Sequence, residues 1–424
     1  MSNVTAKVVE KKYLLPFIII TSLFALWGFA NDITNPMVAA FQSVMELSAF
    51  KASFVQAAFY GGYATMAIPA ALFVQKYSYK RGILVGLGLY ATGALLFWPA
   101  ASNQSFGFFC MSLYILTFGL AFLETTANPY ILAMGAKETS TRRLNLAQAF
   151  NPMGSMLGMF VASQIVLAKL DSDKVDFASL SETAKETIRV HDLEIIRNPY
   201  VALGLVVIAM FILIYLFKMP NFVKNHELHP GASFKRLFAN KIYREGVIAQ
   251  IFYVAAQIMC WTFIIQYAGR LGVPKATAQM YNIVAMAIFL CSRFISTFIM
   301  KYVNSRLLLM IFAIGGICTT SGVILIDGMA GLYCLVATSA FMSLMFPTIY
   351  GIALENVGED TTLGAAGLVM AIVGGCLMPP MQGALIDNGA ILGISGENFS
   401  FILPFICFII IAIFGYRSYK STEA

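Results

Sequence analysis

Long apolar runs recur along the whole chain, and they constrain its fold more than any other feature of the sequence. Each run is continuous rather than alternating, and a helix needs about 20 apolar residues to cross the hydrocarbon core of a bilayer. Lipid offers the backbone no hydrogen-bond partner, so only helices and closed barrels can span it, and continuous runs are typical of helices. The sequence therefore predicts an all-α integral membrane protein.

Twelve such runs can be placed along the chain, and a basic segment separates the first six from the last six. The predicted spans lie near residues 14–41, 50–75, 83–100, 106–134, 143–168, 199–217, 246–269, 276–300, 307–327, 331–354, 362–386 and 398–416. We therefore predict an N-terminal six-helix half over 1–217, a cytoplasmic central loop over 218–244 and a C-terminal six-helix half over 245–424.

Lys and Arg are concentrated in the short loops on one side of the predicted spans. The positive-inside rule assigns these loops to the cytoplasm and thereby predicts that both termini are cytoplasmic. A long polar connection over 169–198 is then expected on the outer side, where long loops cross regardless of their charge. Residues 68–86 resemble 295–313, and this internal repeat supports the division into two halves.

The composition excludes several classes of protein. Charged residues make up 12% of the chain and the mean hydropathy is +0.77, whereas soluble domains carry about 25% charged residues. The net charge of +7 comes from Lys and Arg in loops between apolar runs, so no nucleic-acid partner is expected. The seven cysteines all lie in apolar runs without CxxC spacing, which predicts neither a disulfide framework nor a metal site. The three His residues lie in polar loops, and no HExxH, GxSxG or phosphate-loop motif occurs, so neither an enzyme nor an ATP-driven pump is expected.

Two acidic residues stand out because they lie inside apolar runs. Glu124 has no Lys or Arg near it in the run over 106–134, and Asp32 lies in the first run. A carboxylate at bilayer depth costs roughly 2.5–3.5 kcal/mol, so a chain tolerates one mainly where the acid has a use. Removal from water favours the neutral acid, which can carry a proton across the membrane. We therefore predict that Glu124 and Asp32 couple transport to protons, although Asp32 lies roughly 30 Å of helix from Lys12 and so close to the outer surface.

Amide and aromatic side chains repeat at helical spacing on single faces of several predicted spans. The candidate ligand-binding residues are Asn31, Asn35, Gln56, Tyr60, Asn128, Gln148, Asn151, Gln257 and Trp261. Amides both donate and accept hydrogen bonds, and aromatic rings pack on the C–H faces of a sugar, so these faces suit a neutral polyol. The same residue types also join helices to one another by hydrogen bonds, which is the competing interpretation for each of them.

Five segments resemble a known family of sugar transporters. They are WGFANDITNP (27–36), FLETTANPY (122–130), RLNLAQAFN (143–151), CWTFIIQYAG (260–269) and FPTIYGIALENVGEDT (346–361). On these residues, and from about Tyr13 to Arg417, the chain resembles the fucose–hexose symporter family of the major facilitator superfamily. The resemblance implies twelve helices in two halves with a central site between them, and a monomer in a bacterial inner membrane with no cofactor besides the coupled proton.

The resemblance also implies roles for individual residues. It assigns protonation to Glu124 and ligand contact to Asn31, Gln148, Asn151, Gln257 and Trp261. It implies import of a neutral monosaccharide, with L-fucose the expected substrate and glucose, galactose or N-acetylglucosamine the alternatives. One departure stands out, because the family's first-helix acid aligns with Asn35 here, whereas Asp32 falls three residues earlier. Either Asp32 replaces that acid from the same side of the helix, or coupling rests on Glu124 alone.

Two alternatives stay open at the level of sequence. Sodium coupling is one, because Na⁺ needs several oxygen ligands and Asp32, Asn31 and Asn35 could contribute them. A membrane sugar sensor that binds without transporting is the other. Uptake of sugar into vesicles, with and without gradients of pH or sodium, separates these alternatives from a proton symporter.

Overall fold

The computed structural model describes residues 8–47, 54–172, 175, 180–220, 222, 230–273, 275–387, 389–390 and 392–423. The regular elements in this part of the chain are helices, and eleven stretches are long and apolar enough to cross a membrane. The second predicted span coincides with a further helix of 23 residues.

Helices occupy all twelve predicted spans, and several spans are built from more than one helix. In chain order the helices are Leu14–Val44; Phe54–Lys76; Tyr79–Leu95 with Phe97–Ser102; Phe106–Ala133; Ser140–Gln148 with Asn151–Phe160 and the π-helix Val161–Val166; Glu182–Leu216; Lys241–Thr262 with Ile264–Arg270; Lys275–Ile299; Ser305–Leu325; Met329–Met342 with Met345–Leu354; Thr361–Met370 with Gly374–Asp387; and Ile402–Glu423. We number the spans in this order. A short helix, Pro230–Ala239, lies within the predicted central loop.

The helix of the sixth span begins much earlier than predicted. It starts at Glu182 rather than near 199, so much of the polar connection over 169–198 is helical. The Ser181 hydroxyl caps its first turn by accepting a hydrogen bond from the Ala184 N–H, and three ion pairs at i,i+3 spacing support the polar turns. An apolar run predicts only the apolar part of a helix. It therefore gave no signal for the polar turns of this helix before residue 199.

The fifth and tenth spans are interrupted near the middle. The first helix of the fifth span ends at Gln148 and the next begins at Asn151, while the tenth span changes helix between Met342 and Met345. A proline follows each interruption, and proline has no N–H to continue the hydrogen-bond ladder of a helix.

The chain forms two compact units by its internal contacts. The first unit comprises Met1–Phe17, Asn128–Pro152 and His229–Ala424, and the second comprises Ile18–Ala127 and Met153–Leu228. The first, fourth and fifth spans therefore each contribute residues to both units, with the changes falling after Phe17, next to Pro129 and at Pro152. The predicted halves over 1–217 and 245–424 stay a prediction.

Within the second unit, glycine lets the fifth span approach the first span closely. A Cβ atom on Gly154 would lie 1.7 Å from the Ala25 carbonyl oxygen, and one on Gly158 would lie 2.6 Å from the Phe29 carbonyl oxygen. Lipid supplies no hydrophobic drive for helices to associate, so membrane helices rely on small residues that permit backbone contact. The GxxxG spacing of Gly154 and Gly158 therefore builds the seam that holds the first span in place.

Candidate functional site

Glu124 lies in the middle of the fourth-span helix, among neighbours that are themselves buried. Its side chain is half-buried, and it forms no hydrogen bond or ion pair within the described part of the chain. Glu124 is thus an acid within an apolar helix that is only partly buried and has no counter-charge among the described residues.

The first-span candidates differ in their surroundings. The Asn31 side chain is half-buried, and its carbonyl oxygen has no hydrogen-bond partner among the described residues. Asp32 is 7% exposed, so it is less accessible than Glu124. Tyr60 of the second span is half-buried and stacks edge-on against Phe59, with ring centroids 5.6 Å apart. The side chains of the predicted residues Asn35 and Gln56 lie outside the described residues.

In the first unit, the fourth and fifth spans are joined by a hydrogen bond between two predicted site residues. The Gln148 amide donates to the Asn128 side-chain oxygen at 2.9 Å, and both side chains are buried. The Asn128 amide nitrogen has no partner among the described residues. Asn128 follows Glu124 by four residues in the same helix. Asn151, half-buried, begins the second helix of the fifth span.

The seventh-span candidates lie one turn apart on a single helix. Gln257 and Trp261 are both half-buried. The Trp261 indole N–H donates to the Ser339 hydroxyl at 3.1 Å, and its ring packs edge-on against Phe289 at 5.1 Å between centroids. The orientation of Trp261 is therefore fixed by the eighth and tenth spans, which leaves part of its surface free for a ligand. Gln250, two turns earlier than Gln257, is fully buried, and neither end of its amide has a partner among the described residues.

Two buried arginines escaped the prediction of site residues. Arg143 has no exposed surface, and its guanidinium donates to the carbonyl oxygens of Ile131 at 2.8 Å and Leu132 at 2.6 Å, which caps the end of the fourth-span helix. Arg293 lies inside the eighth span, is 3% exposed, and donates to the Gln148 carbonyl at 3.0 Å. The cost of an arginine inside an apolar run is the signal by which the sequence could have marked Arg293 as a candidate.

Comparison with known proteins places these features in a family. The sequence profile of the Major Facilitator Superfamily matches residues 18–379. The chain is 66% identical to the L-fucose-proton symporter of Haemophilus influenzae, covering 98% of this chain and 99% of that protein.

The chain belongs to the major facilitator superfamily.

Two further similarities agree with this assignment. The L-fucose-proton symporter of Escherichia coli K12 is 33% identical over 98% of this chain and 95% of its own length. The crystal structure of the major facilitator superfamily transporter FucP, in the outward conformation, superimposes with a TM-score of 0.87 at 32% identity, covering 96% of this chain and 99% of that one. The predicted all-α membrane fold and the predicted family are thereby confirmed, and the relatives are transporters rather than enzymes.

Proposed function

We propose that this chain is a proton-coupled symporter that imports L-fucose by alternating access. The observation that carries the proposal is Glu124, a half-buried acid with no partner in the described part of the chain, four residues before Asn128 in the same helix. An acid that can gain and lose a proton beside hydrogen-bonding amides couples the protonation state to the binding of a polyhydroxylated ligand. The near full-length similarity to symporters named for L-fucose supports the choice of sugar.

We further propose the arrangement of the transporter in the cell. A monomer lies in the bacterial inner membrane with both termini in the cytoplasm, because the positive-inside rule assigns the basic loops to that side. Asn31, Asn35, Gln56, Tyr60, Asn128, Gln148, Asn151, Gln257 and Trp261 contribute to the sugar site. The half-buried Gln257 and Trp261 offer an amide and a ring face on one side of the seventh-span helix, which suits one hydroxyl-bearing edge and one C–H face of a sugar.

A competition experiment tests the substrate and the coupling ion together. Inverted or right-side-out vesicles containing the protein are expected to take up labelled L-fucose when the outside is acidified, with little uptake when the pH is equal on both sides. Unlabelled L-fucose is expected to compete better than galactose, glucose or N-acetylglucosamine. Uptake that follows a sodium gradient and ignores pH would contradict proton coupling, and stronger competition by glucose or galactose would contradict the choice of sugar. Vesicles without the protein are the control.

Substitutions at two first-span positions test whether Asp32 is the second coupling acid. Asp32→Asn is expected to lower pH-driven accumulation about tenfold, equivalent to roughly 1.4 kcal/mol of coupling. The double variant with Asp32→Asn and Asn35→Asp moves the acid nearly one turn along the same helix and is expected to recover part of the accumulation. Accumulation by Asp32→Asn at the level of the unsubstituted protein would assign the coupling to Glu124 alone.

A further inference from the structure

Arg293 is a buried cation with an unusual set of partners. It lies in the eighth-span helix Lys275–Ile299, roughly 9 Å of helix from the end at Ile299, and is 3% exposed. Arginine inside a membrane helix normally pairs with an acid or lines a polar pathway. No carboxylate pairs with Arg293 within the described part of the chain. Its guanidinium instead donates to the main-chain carbonyls of Gln148 and Ser343 and lies 4.6 Å from the centre of the Phe289 ring.

Both acceptor carbonyls are freed by proline. In a continuous helix the carbonyl of a residue accepts from the N–H four positions later. For Gln148 that position is Pro152, and for Ser343 it is Pro347, so neither carbonyl has its helical donor. Both carbonyls also lie at the interruptions of the fifth and tenth spans. The Arg293 guanidinium therefore donates hydrogen bonds to two carbonyls, in two different spans, that have no helical N–H donor because of a proline.

The contacts next to Arg293 hold the same two spans together. Thr141, Asn145 and Gln148 are spaced i, i+4, i+7 and so share one face of the fifth-span helix. The Asn145 amide donates to the buried Thr348 hydroxyl of the tenth span at 3.2 Å. A Cβ atom on Gly351, one turn further along the tenth span, would lie 3.3 Å from the Thr141 Cβ. This face of the fifth span therefore lies directly against the tenth span.

The two carbonyls differ in how firmly they are tied to the eighth span. The Ser292 hydroxyl donates to the Ala340 carbonyl at 2.7 Å, and the Ser343 hydroxyl donates to Ser292 at 3.0 Å. These bonds fasten the tenth span to the eighth span independently of Arg293. The bond to Gln148 is the link from Arg293 to the fifth span, so, like the bond between Asn145 and Thr348, it would break if the fifth and tenth spans separated.

We propose that Arg293 is a releasable latch of the transport cycle: its guanidinium holds the Gln148 carbonyl while the inner end of the transport path is closed, and lets it go when that end opens. The proposal rests on the alternating-access function proposed above. Gln148 connects the latch to the site, because its side chain bonds Asn128 one turn from Glu124. Arg293 is thus a positioning residue for the conformational step, and it contacts neither proton nor sugar in this role.

A cross-link between the fifth and tenth spans reports whether the latch is closed. The seven native cysteines are first replaced, and Thr141→Cys and Gly351→Cys are then introduced. The Cβ atoms of the two new cysteines would lie 3.3 Å apart, close to the Cβ separation of about 3.5–4.5 Å that disulfides adopt. The pair is expected to form a disulfide readily under mild oxidation without sugar. The rate of disulfide formation can be measured without knowing the sugar or the coupling ion. A negative result for the latch can therefore be told apart from a negative result for the proposed transport function.

Three substitutions in this background test the latch. Arg293→Gln and Arg293→Lys are each expected to lower the initial rate of disulfide formation roughly fivefold, since the first loses the cation and the second loses the fork that reaches both carbonyls. Pro152→Ala is expected to lower it in the same direction, because the new N–H competes for the Gln148 carbonyl. Ser292→Ala, which removes a neighbouring hydrogen bond without touching Gln148, is the matched control and is expected to cross-link at the unsubstituted rate.

Two outcomes would overturn the proposal. The first is an unchanged cross-linking rate in folded Arg293→Lys and Pro152→Ala proteins, and the second is an equal loss of rate in Ser292→Ala. Size-exclusion chromatography shows which variants fold. If Arg293→Gln does not fold, the cross-linking rates of Arg293→Lys and Pro152→Ala test the latch without it.

Discussion

Replacing Glu124 by Gln is expected to abolish the accumulation of sugar while leaving sugar exchange intact. Gln has the shape and neutrality of the protonated acid, but it cannot release a proton to the cytoplasm. A gradient of one pH unit together with 100 mV supplies about 3.7 kcal/mol per proton, enough for accumulation of several hundredfold. The variant is expected to equilibrate sugar at a ratio of about one, and to exchange labelled for unlabelled sugar at a rate within roughly threefold of the unsubstituted protein.

The accumulation ratio is measured in proteoliposomes with an imposed pH gradient and membrane potential. The exchange rate is measured by counterflow of labelled sugar without a gradient. Glu182→Gln is the matched control, because that acid lies at the polar start of the sixth-span helix with 87% of its side chain exposed. It is expected to accumulate sugar like the unsubstituted protein. Accumulation against the gradient by Glu124→Gln would show that the coupled proton is carried elsewhere.

The second large effect is expected at Gly154. Gly154→Ala would place a carbon atom 1.7 Å from the Ala25 carbonyl oxygen, where backbone must move to make room. Overpacking of this kind costs about 1–3 kcal/mol or more, and Gly154→Leu is expected to leave no folded protein. For Gly154→Ala, the loss of stability is measured as a lower unfolding temperature of the detergent-solubilised protein. For Gly154→Leu, the loss of folded protein is measured as a lower yield of monodisperse protein.

A glycine without close neighbours provides the comparison. A Cβ atom on Gly107, at the start of the fourth-span helix, would meet nothing within 4 Å. Gly107→Ala is therefore expected to keep or slightly raise the unfolding temperature, since Ala has a higher helix propensity than Gly and its Cβ would meet no neighbouring atom. Equal unfolding temperatures for Gly154→Ala and Gly107→Ala would contradict the role of the glycine seam.

The sequence is enough to predict the helices wherever they lie in lipid, because there the apolar run and the helix coincide. It failed at the sixth span, whose first turns are polar and are held by the Ser181 cap and local ion pairs. It also gave no warning that the fifth span is interrupted after Gln148, although Pro152 was visible. Proline interrupts a helix only when surrounding groups can satisfy the carbonyl that it frees, and those groups come from other spans.

The candidate site residues stay predictions, and the sequence accounts for only part of their surroundings. The energetic cost of a charge in lipid identified Glu124, and the structure places it half-buried in mid-helix. The same argument applied to Arg293, but the carbonyls that hold it belong to residues 145 positions and 50 positions away in the sequence. The bond between Asn128 and Gln148 likewise depends on how two helices pack. Spacing along one helix predicts a shared face, whereas it cannot predict which face of another helix lies opposite.

The helix of the sixth span has a practical use in imaging. Its 35 residues extend for about 52 Å, longer than the roughly 40–45 Å of a bilayer with its headgroups, and no break separates the polar turns from the apolar ones. An antibody fragment raised against the polar turns between Glu182 and Asp192 would therefore bind to one end of a transmembrane helix. Such a fragment would serve as a fiducial marker for aligning particles of this 46.4 kDa protein in electron cryomicroscopy.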